Sequence, residues 1–415
     1  MTSITDGRRT MGRRQLITLL AMLMSMAALG VDLILPAFPD IRADFGLAAD
    51  STAVAALVTV YFLGMAVGQI PYGVLSDRFG RRPIVFAGLS LYVIAAVAST
   101  FAPSFGILLL TRFMWGMGAA GSRTITLSIV RDTHEGEKMA KVMSFIVAIF
   151  LLIPVVAPSI GAVLTSWVGW RGAVFFSVFM ALVVGLWSLR LPETLDPENR
   201  LALSWRDIAH AGRQVVTNRA TVGYMLAVTV LFASVVTFIG SSEIIIGDVF
   251  GRANQFPLIF GGIAVFMGAA ALLNAALVER VGLERLLGIV MVLFVVFSLG
   301  LFAFALAADG TPDFWPFAIG LTLVTSLFAL MMPNLNTAAM IPMGKIAGTA
   351  SAIIGTVVTA GGALLGSLID QAYDGTVIPM TFGFAALGAV ALGLSRWAGS
   401  GSRRTIQEPL PAPAE

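Results

Sequence analysis

Long apolar runs recur along the whole sequence and constrain the fold more than any other feature. Each is long enough to cross a bilayer as an α-helix, which takes about 20 residues. The runs lack the strict apolar–polar alternation of a membrane β-barrel. The chain is 58% hydrophobic and 12% charged, whereas soluble domains carry roughly 25% charged residues. We identify twelve runs, at 15–36, 52–75, 84–101, 105–130, 140–165, 172–191, 220–242, 257–278, 286–307, 314–340, 347–370 and 377–395. The sequence therefore predicts an all-α integral membrane protein with 12 transmembrane helices.

The basic residues predict the orientation. Twelve spans place both termini on one side, and that side holds 21 of the 26 Lys and Arg residues. Cytoplasmic loops carry such an excess, so we predict cytoplasmic termini in a bacterial cytoplasmic (inner) membrane. The basic start imitates a signal peptide, but no small-residue cleavage site precedes Asp32, and we predict an uncleaved first helix. The basic balance reflects this asymmetry, so we expect the lipid bilayer and no nucleic acid as a partner.

The longest polar connection, 192–219, divides the spans into two sets of six. We predict an N-terminal six-helix bundle at 1–191, a central cytoplasmic loop at 192–219, a C-terminal six-helix bundle at 220–395 and a disordered cytoplasmic tail at 396–415. The halves echo one another: "SDRFGRR" at 76–82 has a weaker counterpart in "VERVGLER" at 278–285. Two parallel repeats of six helices are the architecture of the major facilitator fold.

The segment "GQIPYGVLSDRFGRRP", 68–83, resembles the signature of the major facilitator superfamily. The glycines permit a tight reversal between two helices, and Asp77 can pair with a neighbouring arginine or face a helix N-terminus. The resemblance implies an inner gate that holds the two halves together and opens during transport. The alternative is a loop that fixes orientation and contains a local ion pair. The matching residues are Gly73, Asp77, Arg78, Gly80, Arg81 and Arg82.

Further segments resemble a narrower group, the 12-span drug:proton antiporters of the Bcr/CflA branch. These are "GVDLILPAFPDI" at 30–41, "LLLTRFMWGMGAAG" at 108–121, "GWR" at 169–171, "LPETL" at 191–195 and "PNLNTAAMIPMGKIAGTASAIIG" at 333–355. The resemblance implies a proton-coupled antiporter that exports drug-like small molecules, such as bicyclomycin and phenicols, by alternating access. Small molecules and protons are then its partners. We expect a monomer without a cofactor.

The fifth span departs from the antiporter pattern. Its segment "IPVVAPSIGA", 153–162, keeps Pro158 and Gly161 but replaces other glycines of the family motif, and Pro154 adds a second break in the backbone hydrogen bonds. We interpret Pro154, Pro158 and Gly161 as a hinge. The alternative is a Pro-kinked helix that serves only packing.

Asp32 and Arg112 are the strongest candidates for proton coupling. A charge inside a span is costly and usually functional, and Asp32 is the only acidic residue that the sequence places clearly inside one. Pro36 lacks the N–H that would bond the Asp32 carbonyl, so the helix should loosen there. Because spans 1 and 4 run in opposite directions, Arg112 should reach a depth similar to that of Asp32. The alternatives are a capping role for Asp32 and a structural role for Arg112.

Four residues inside the spans are candidates for contact with the substrate. The polar or aromatic candidates inside spans are Tyr61, Trp115, Asn334 and Asn336. Hydrogen bonding between helices explains such residues as well as ligand contact does. Trp115 also stands where the family motif often has Gln.

The antiporter has two alternatives, a carrier of another kind and an enzyme. A carrier of the same fold for a metabolite, working by uniport or import, remains the alternative. An enzyme is not expected, because the sequence contains no G-x-x-x-x-G-K-[ST] loop, no Cys, and no His in a predicted span. For the same reasons we expect no metal site.

Overall fold

The computed structural model describes residues 4–6, 9–200 and 205–407. A short antiparallel ribbon, β1 (Ile4–Asp6) and β2 (Arg9–Met11), precedes a chain that is otherwise helical where it is described. The α-helices are α1 (Arg13–Asp32), α2 (Phe38–Asp44), α3 (Ala56–Phe79), α4 (Arg81–Thr100), α5 (Phe105–Thr133), α6 (Gly136–Val168), α7 (Trp170–Ser188), α8 (Trp205–Thr217), α9 (Arg219–Ile244), α10 (Phe256–Val281), α11 (Leu283–Ala307), α12 (Phe314–Met340), α13 (Ala347–Gln371) and α14 (Ile378–Gln407). The predicted helical membrane fold is confirmed.

Eleven segments of the described chain are long and apolar enough to cross a membrane. The remaining predicted span, 105–130, corresponds to α5. This helix carries Arg112, Arg123 and several small polar residues, which lower its mean hydropathy. Since α5 packs against α1, α3 and α4, it needs fewer apolar side chains than a lipid-facing helix does.

The packing of the first six spanning helices recurs in the second six. In the first set, α3 and α4 pack on α5, and α1 packs on α5, α6 and α7. In the second, α10 and α11 pack on α12, and α9 packs on α12, α13 and α14. Between the sets, α3 contacts α13 and α6 contacts α10. Each set therefore places its second spanning helix, α3 or α10, against the fifth spanning helix of the other set, α13 or α6.

The turns behind the sequence echo have the same backbone conformation. Gly80 (φ +100°, ψ 160°) lies between α3 and α4, and Gly282 (φ 84°, ψ 150°) lies between α10 and α11. Positive φ values of this kind favour glycine because it has no Cβ. The weak match between 76–82 and 278–285 thus reflects one turn used twice.

The central connection contains a helix that the sequence did not predict. α8 lies within 192–219 and buries Ala211 and Val215, which are one turn apart on one face. It packs against α9, α13 and the 3₁₀ turn Ile341–Ile346. An amphipathic helix this short has too little apolar sequence to register as a span.

The predicted start of the tail, 396, falls within α14, which continues to Gln407. No proline interrupts the sequence between Pro379 and Pro409, so the backbone hydrogen bonds of the helix can extend beyond the apolar run. Residues 408–415 lie outside the described part.

The side of the termini, predicted to be cytoplasmic, is called the inner side below, and the opposite side is called the outer side.

Candidate functional site

Asp32 is the last residue of α1, where the helix changes to a 3₁₀ turn at Leu35–Ala37. Pro36 lies in that turn, as its missing N–H requires. The Asp32 side chain is 3% exposed. Among the described residues, its carboxyl group makes no hydrogen bond or ion pair. A buried carboxyl group without a partner is costly in its charged form.

Arg112 lies beside the same end of α1. Its Nη1 donates a hydrogen bond to the Gly30 carbonyl oxygen at 2.9 Å, two residues before Asp32. Its Nε and Nη2 have no partner among the described residues. The structure thus places Arg112 at the depth of Asp32 without a direct bond between them. A buried guanidinium with unused N–H groups can accept an anionic partner.

Two predicted substrate residues surround Arg112. The guanidinium carbon lies 4.7 Å from the Tyr61 ring centroid and 4.6 Å from that of Trp115, distances that favour cation–π contact. Tyr61 also donates a hydrogen bond to the Ala27 carbonyl oxygen at 3.0 Å. Both side chains are fully buried, so in this conformation they enclose Arg112 and do not line an open cavity.

The other two predicted substrate residues do not form a cluster. Asn334 and Asn274 exchange amide hydrogen bonds of 2.7 and 3.2 Å between α12 and α10. Asn336 is exposed, because residues two apart on a helix point to different faces. The Asn334 amide is occupied by helix–helix bonding, which was the alternative interpretation.

The predicted hinge residues lie within α6, which continues from Gly136 to Val168 through both prolines. A Cβ at Gly161 would collide with the carbonyl oxygen of Leu33. Gly161 therefore allows α6 to cross α1 directly beside Asp32. Whether Pro154 and Pro158 bend during transport stays a prediction.

The signature segment forms an ionic cluster on the inner side. Arg81 is buried, and its guanidinium pairs with Asp77, with Asp132 of α5 at 2.7 Å, and with the Ser76 hydroxyl at 2.8 Å. Its backbone N–H, at the start of α4, donates to Glu193 at 2.8 Å. Glu193 lies in the central connection and the other residues lie in the first set of helices, so this conformation does not show Asp77 bridging the two sets.

The remaining signature residues are more peripheral. Arg78 is exposed and lies over the ring of Phe79. Arg82 lies over Phe86, and its backbone N–H donates to Glu193 at 3.2 Å. Gly73 lies within α3 and supplies the carbonyl oxygen that accepts from the Ser76 hydroxyl at 2.8 Å.

An ion pair joins the two sets of helices on the outer side. Arg42 of α2 donates to both carboxylate oxygens of Glu243 in α9, at 2.7 and 3.4 Å, and to the Ser51 carbonyl oxygen at 2.9 Å. Close by, the Ser241 hydroxyl donates to Asp370 of α13 at 2.6 Å. We call these five residues the outer seam. Arg42, Glu243, Ser241 and Asp370 are all buried.

The outer seam corrects one sequence prediction. Asp32 was expected to be the only acidic residue clearly inside a span, and that is wrong, because Glu243 and Asp370 lie in the last turns of α9 and α13. Both stand at the edge of an apolar run. Hydropathy alone does not distinguish a last buried turn from the start of a loop.

The sequence matches the Major Facilitator Superfamily over residues 20–367. The chain belongs to that superfamily. This major facilitator protein is 31% identical to the bicyclomycin resistance protein homolog of Haemophilus influenzae, over 88% of this chain and 92% of the relative. It is 27% identical to multidrug resistance protein MdtL of Salmonella heidelberg, over 81% and 82% of the two chains. The resemblance to the Bcr/CflA type of drug-efflux protein is confirmed.

Solved structures show the same fold. The D-xylose–proton symporter superposes with a TM-score of 0.74 at 16% identity, covering 93% of this chain and 97% of that one. The human organic anion transporter MFSD10 gives a TM-score of 0.68 at 18% identity, covering 93% and 99%. These likenesses concern the fold alone. The superfamily match and the curated relatives identify the major facilitator protein as a multi-pass membrane transporter.

Sequence reasoning missed Glu193 and Asp132, the acidic partners around Arg81. Glu193 is the acid of "LPETL", a segment that was singled out as a family feature without a role. Its two oxygens accept backbone N–H groups at the start of α4, where a negative charge is favoured by the helix dipole.

We expect Arg81→Lys to lower the free energy of unfolding of the major facilitator protein by about 2 kcal/mol or more. A lysine lacks the planar fork with which Arg81 bonds Asp77, Asp132 and Ser76 together. Hydrogen bonds to charged groups contribute roughly 1.5–3 kcal/mol each. The thermal unfolding midpoint of the purified protein measures the effect. Arg78→Lys, three residues away and exposed, is the matched control and should leave the midpoint unchanged. Equal midpoints for both variants would contradict a structural role for the Arg81 cluster.

Proposed function

We propose that this carrier is a proton-coupled antiporter that exports drug-like small molecules by alternating access. The observation that carries the proposal is the end of α1. Within the described part of the chain, Asp32 is buried without a partner, and Arg112 lies beside it with two nitrogens that have no partner. A carboxyl group in this position can bind and release a proton as its surroundings change between water and protein. A nearby guanidinium favours the release by stabilising the carboxylate.

The names of the relatives support export of drugs as the direction of transport. The Haemophilus influenzae relative is named for bicyclomycin resistance and the Salmonella relative for multidrug resistance. We therefore choose bicyclomycin and a phenicol as first substrates to test. In the proposed cycle the two six-helix sets, 1–191 and 220–395, rock about the α3–α13 and α6–α10 contacts.

Transport in everted membrane vesicles from an efflux-deficient host tests the proposal. With a proton gradient that is acidic inside, an antiporter accumulates drug in the lumen, and a protonophore abolishes the accumulation. A metabolite uniporter of the same fold would not respond to the protonophore. Failure of the drugs to accumulate above the level of vesicles without the carrier, across a panel of drug-like compounds, would contradict the proposal.

Orientation is part of the same proposal. We propose a bacterial cytoplasmic membrane location with both termini inside, supported by the placement of 21 of the 26 Lys and Arg residues on the terminal side. Protease treatment of right-side-out and everted vesicles, followed by detection of a C-terminal tag, measures it. The tag should be cleaved only in everted vesicles.

Arg112→Ala should reduce drug-driven proton exchange more than Arg112→Lys does. Lysine keeps the charge near Asp32 but cannot keep the hydrogen bond to Gly30 and the planar contacts with Tyr61 and Trp115 together. A coupling of 1–3 kcal/mol between proton and drug corresponds to a loss of about 5- to 150-fold in the alanine variant. The measurement is proton release on drug addition to proteoliposomes, followed with a pH-sensitive dye.

Arg123→Lys is the matched control for this series, since Arg123 lies on the same helix eleven residues towards the inner side. Its exchange rate should remain close to that of the parent. Normal exchange by both Arg112 variants would assign Arg112 to helix packing alone.

A further inference from the structure

Asp370 is a buried acid that the proposed transport cycle does not use. It is the next-to-last residue of α13 and is 3% exposed. The Ser241 hydroxyl donates to its Oδ1 at 2.6 Å. Its Oδ2 has no hydrogen-bond partner among the described residues. One half of the carboxyl group is therefore buried without compensation.

The free oxygen of Asp370 faces the surface where the two sets of helices meet. A Cβ at Gly240 would lie 2.8 Å from Asp370 Oδ2 and 3.3 Å from the Cβ of Ala55. Ala55 ends the 3₁₀ turn Thr52–Ala55 of the first set, which packs against both α9 and α13. Separation of the two sets on the outer side would therefore bring water to Asp370.

The charged and titratable groups around Asp370 do not neutralise it. Arg42 is bonded to Glu243 and to a backbone carbonyl. The Tyr373 hydroxyl donates to Asp248 at 3.0 Å. Asp248 and the neighbouring Asp374 are exposed and acidic, so they would oppose a second negative charge. In this conformation Asp370 forms no ion pair with any described residue.

A buried carboxylate without a compensating partner is much less stable than the same group in water, and such a group takes up a proton instead. We propose that Asp370 is a proton-binding site of the outer seam: the seam closes with a proton on Asp370, and that proton leaves when the seam opens. On opening, the carboxylic O–H bond breaks and water or buffer on the outer side accepts the proton. On closing, the carboxylate takes a proton from the same side.

Proton binding at Asp370 would affect transport differently from proton binding at a coupling acid such as Asp32. Because one side supplies and receives the proton of Asp370, no net charge crosses the membrane through it. External acidity would instead favour the closed outer seam, whichever solute the carrier moves. The proposal concerns the population of conformations and does not rest on the identity of the substrate.

The experiment measures the outer opening directly by pulsed electron spin resonance. The chain contains no Cys, so Ala49→Cys and Asn254→Cys, both exposed and in different sets, report the distance across the seam. Ala49→Cys with Pro103→Cys, within the first set, is the control distance. All measurements use the Asp32→Asn background, so that Asp32 does not contribute.

In that background, the ratio of closed to open seam should fall as pH rises, by up to about tenfold per pH unit over the titration of one group. Adding Asp370→Asn should abolish this dependence and leave the seam closed. Asp370→Ser, a smaller neutral residue, should do the same and serves if the Asn variant does not fold.

Asp248→Asn and Asp374→Asn should preserve the pH response. An unchanged pH response in both neutral Asp370 variants would overturn the proposal, as would loss of the response in Asp248→Asn or Asp374→Asn.

Discussion

Asp32→Asn is expected to abolish proton-driven drug export while the protein remains folded in the membrane. Asparagine has nearly the same shape as aspartate but cannot release a proton. Because the Asp32 carboxyl group has no hydrogen-bond partner among the described residues, the substitution removes no contact that holds α1 in place. Transport and stability should therefore separate, which distinguishes a proton carrier from a capping residue. Accumulation of drug in everted vesicles and the thermal unfolding midpoint are the two measurements.

Asp50→Asn provides the matched control, since Asp50 is exposed in the connection that follows α2. It should leave both measurements unchanged. Drug binding to purified Asp32→Asn should persist, because asparagine has nearly the same size and shape as aspartate and the substitution removes only the titratable proton. Export at the parental rate from Asp32→Asn, at equal protein level, would show that Asp32 does not couple protons. A large fall in the unfolding midpoint would indicate a structural role.

The fold was largely predictable because hydropathy reports the cost of placing side chains in lipid. The run at 314–340 coincides with α12, and the turn at Gly80 was anticipated from "SDRFGRR". α5 is the one predicted span whose hydropathy is too low to identify it as a membrane helix among the described segments. Its arginines and glycines are accommodated by contacts with α1, α3 and α4, and a scale based on lipid exposure does not include such contacts.

The candidate site was predictable only in part. Asp32 and Arg112 could be found because a charge in the middle of an apolar run stands out against its neighbours. The partners of Arg112 could not, since Tyr61 and Trp115 are as ordinary in a lipid-facing helix as in a packed one. Only the close approach of α3 and α5, where a Cβ at Gly116 would collide with the Tyr61 carbonyl oxygen, brings these rings around the guanidinium.

The Arg42–Glu243 pair illustrates a further limit. The two residues are 201 positions apart, and each lies at the end of an apolar run, where sequence alone is compatible with an exposed loop. Their pairing depends on how the two sets of helices meet. No local pattern in a single sequence contains that information.

Glu243→Gln is expected to open the outer side of the carrier. The substitution removes the negative charge that faces the buried Arg42 guanidinium and replaces one of the two acceptor oxygens with an NH₂ donor, so one Arg42 hydrogen bond is lost and its charge is no longer neutralised. Removing one partner of a buried ion pair costs roughly 3–5 kcal/mol, because the remaining charge is uncompensated. A shift from 99:1 to equal populations takes about 2.7 kcal/mol, half of the roughly 5.5 kcal/mol that full reversal requires, so a loss of roughly 3–5 kcal/mol is large enough to change which state predominates. The Ala49–Asn254 spin-label distance measures the change.

The double variant Arg42→Gln/Glu243→Gln separates the ion pair from simple packing. With both charges removed, neither is left buried alone, and the closed population should recover relative to either single variant. Arg171→Gln, which removes the exposed partner of Asp44 on the same side, is the matched control and should not change the distance. Equal opening in the double variant and in Glu243→Gln would mean that the glutamate acts by its shape or by other contacts. A closed seam in every variant would show that the helix contacts α3–α13 and α6–α10 hold the outer side shut without the ion pair.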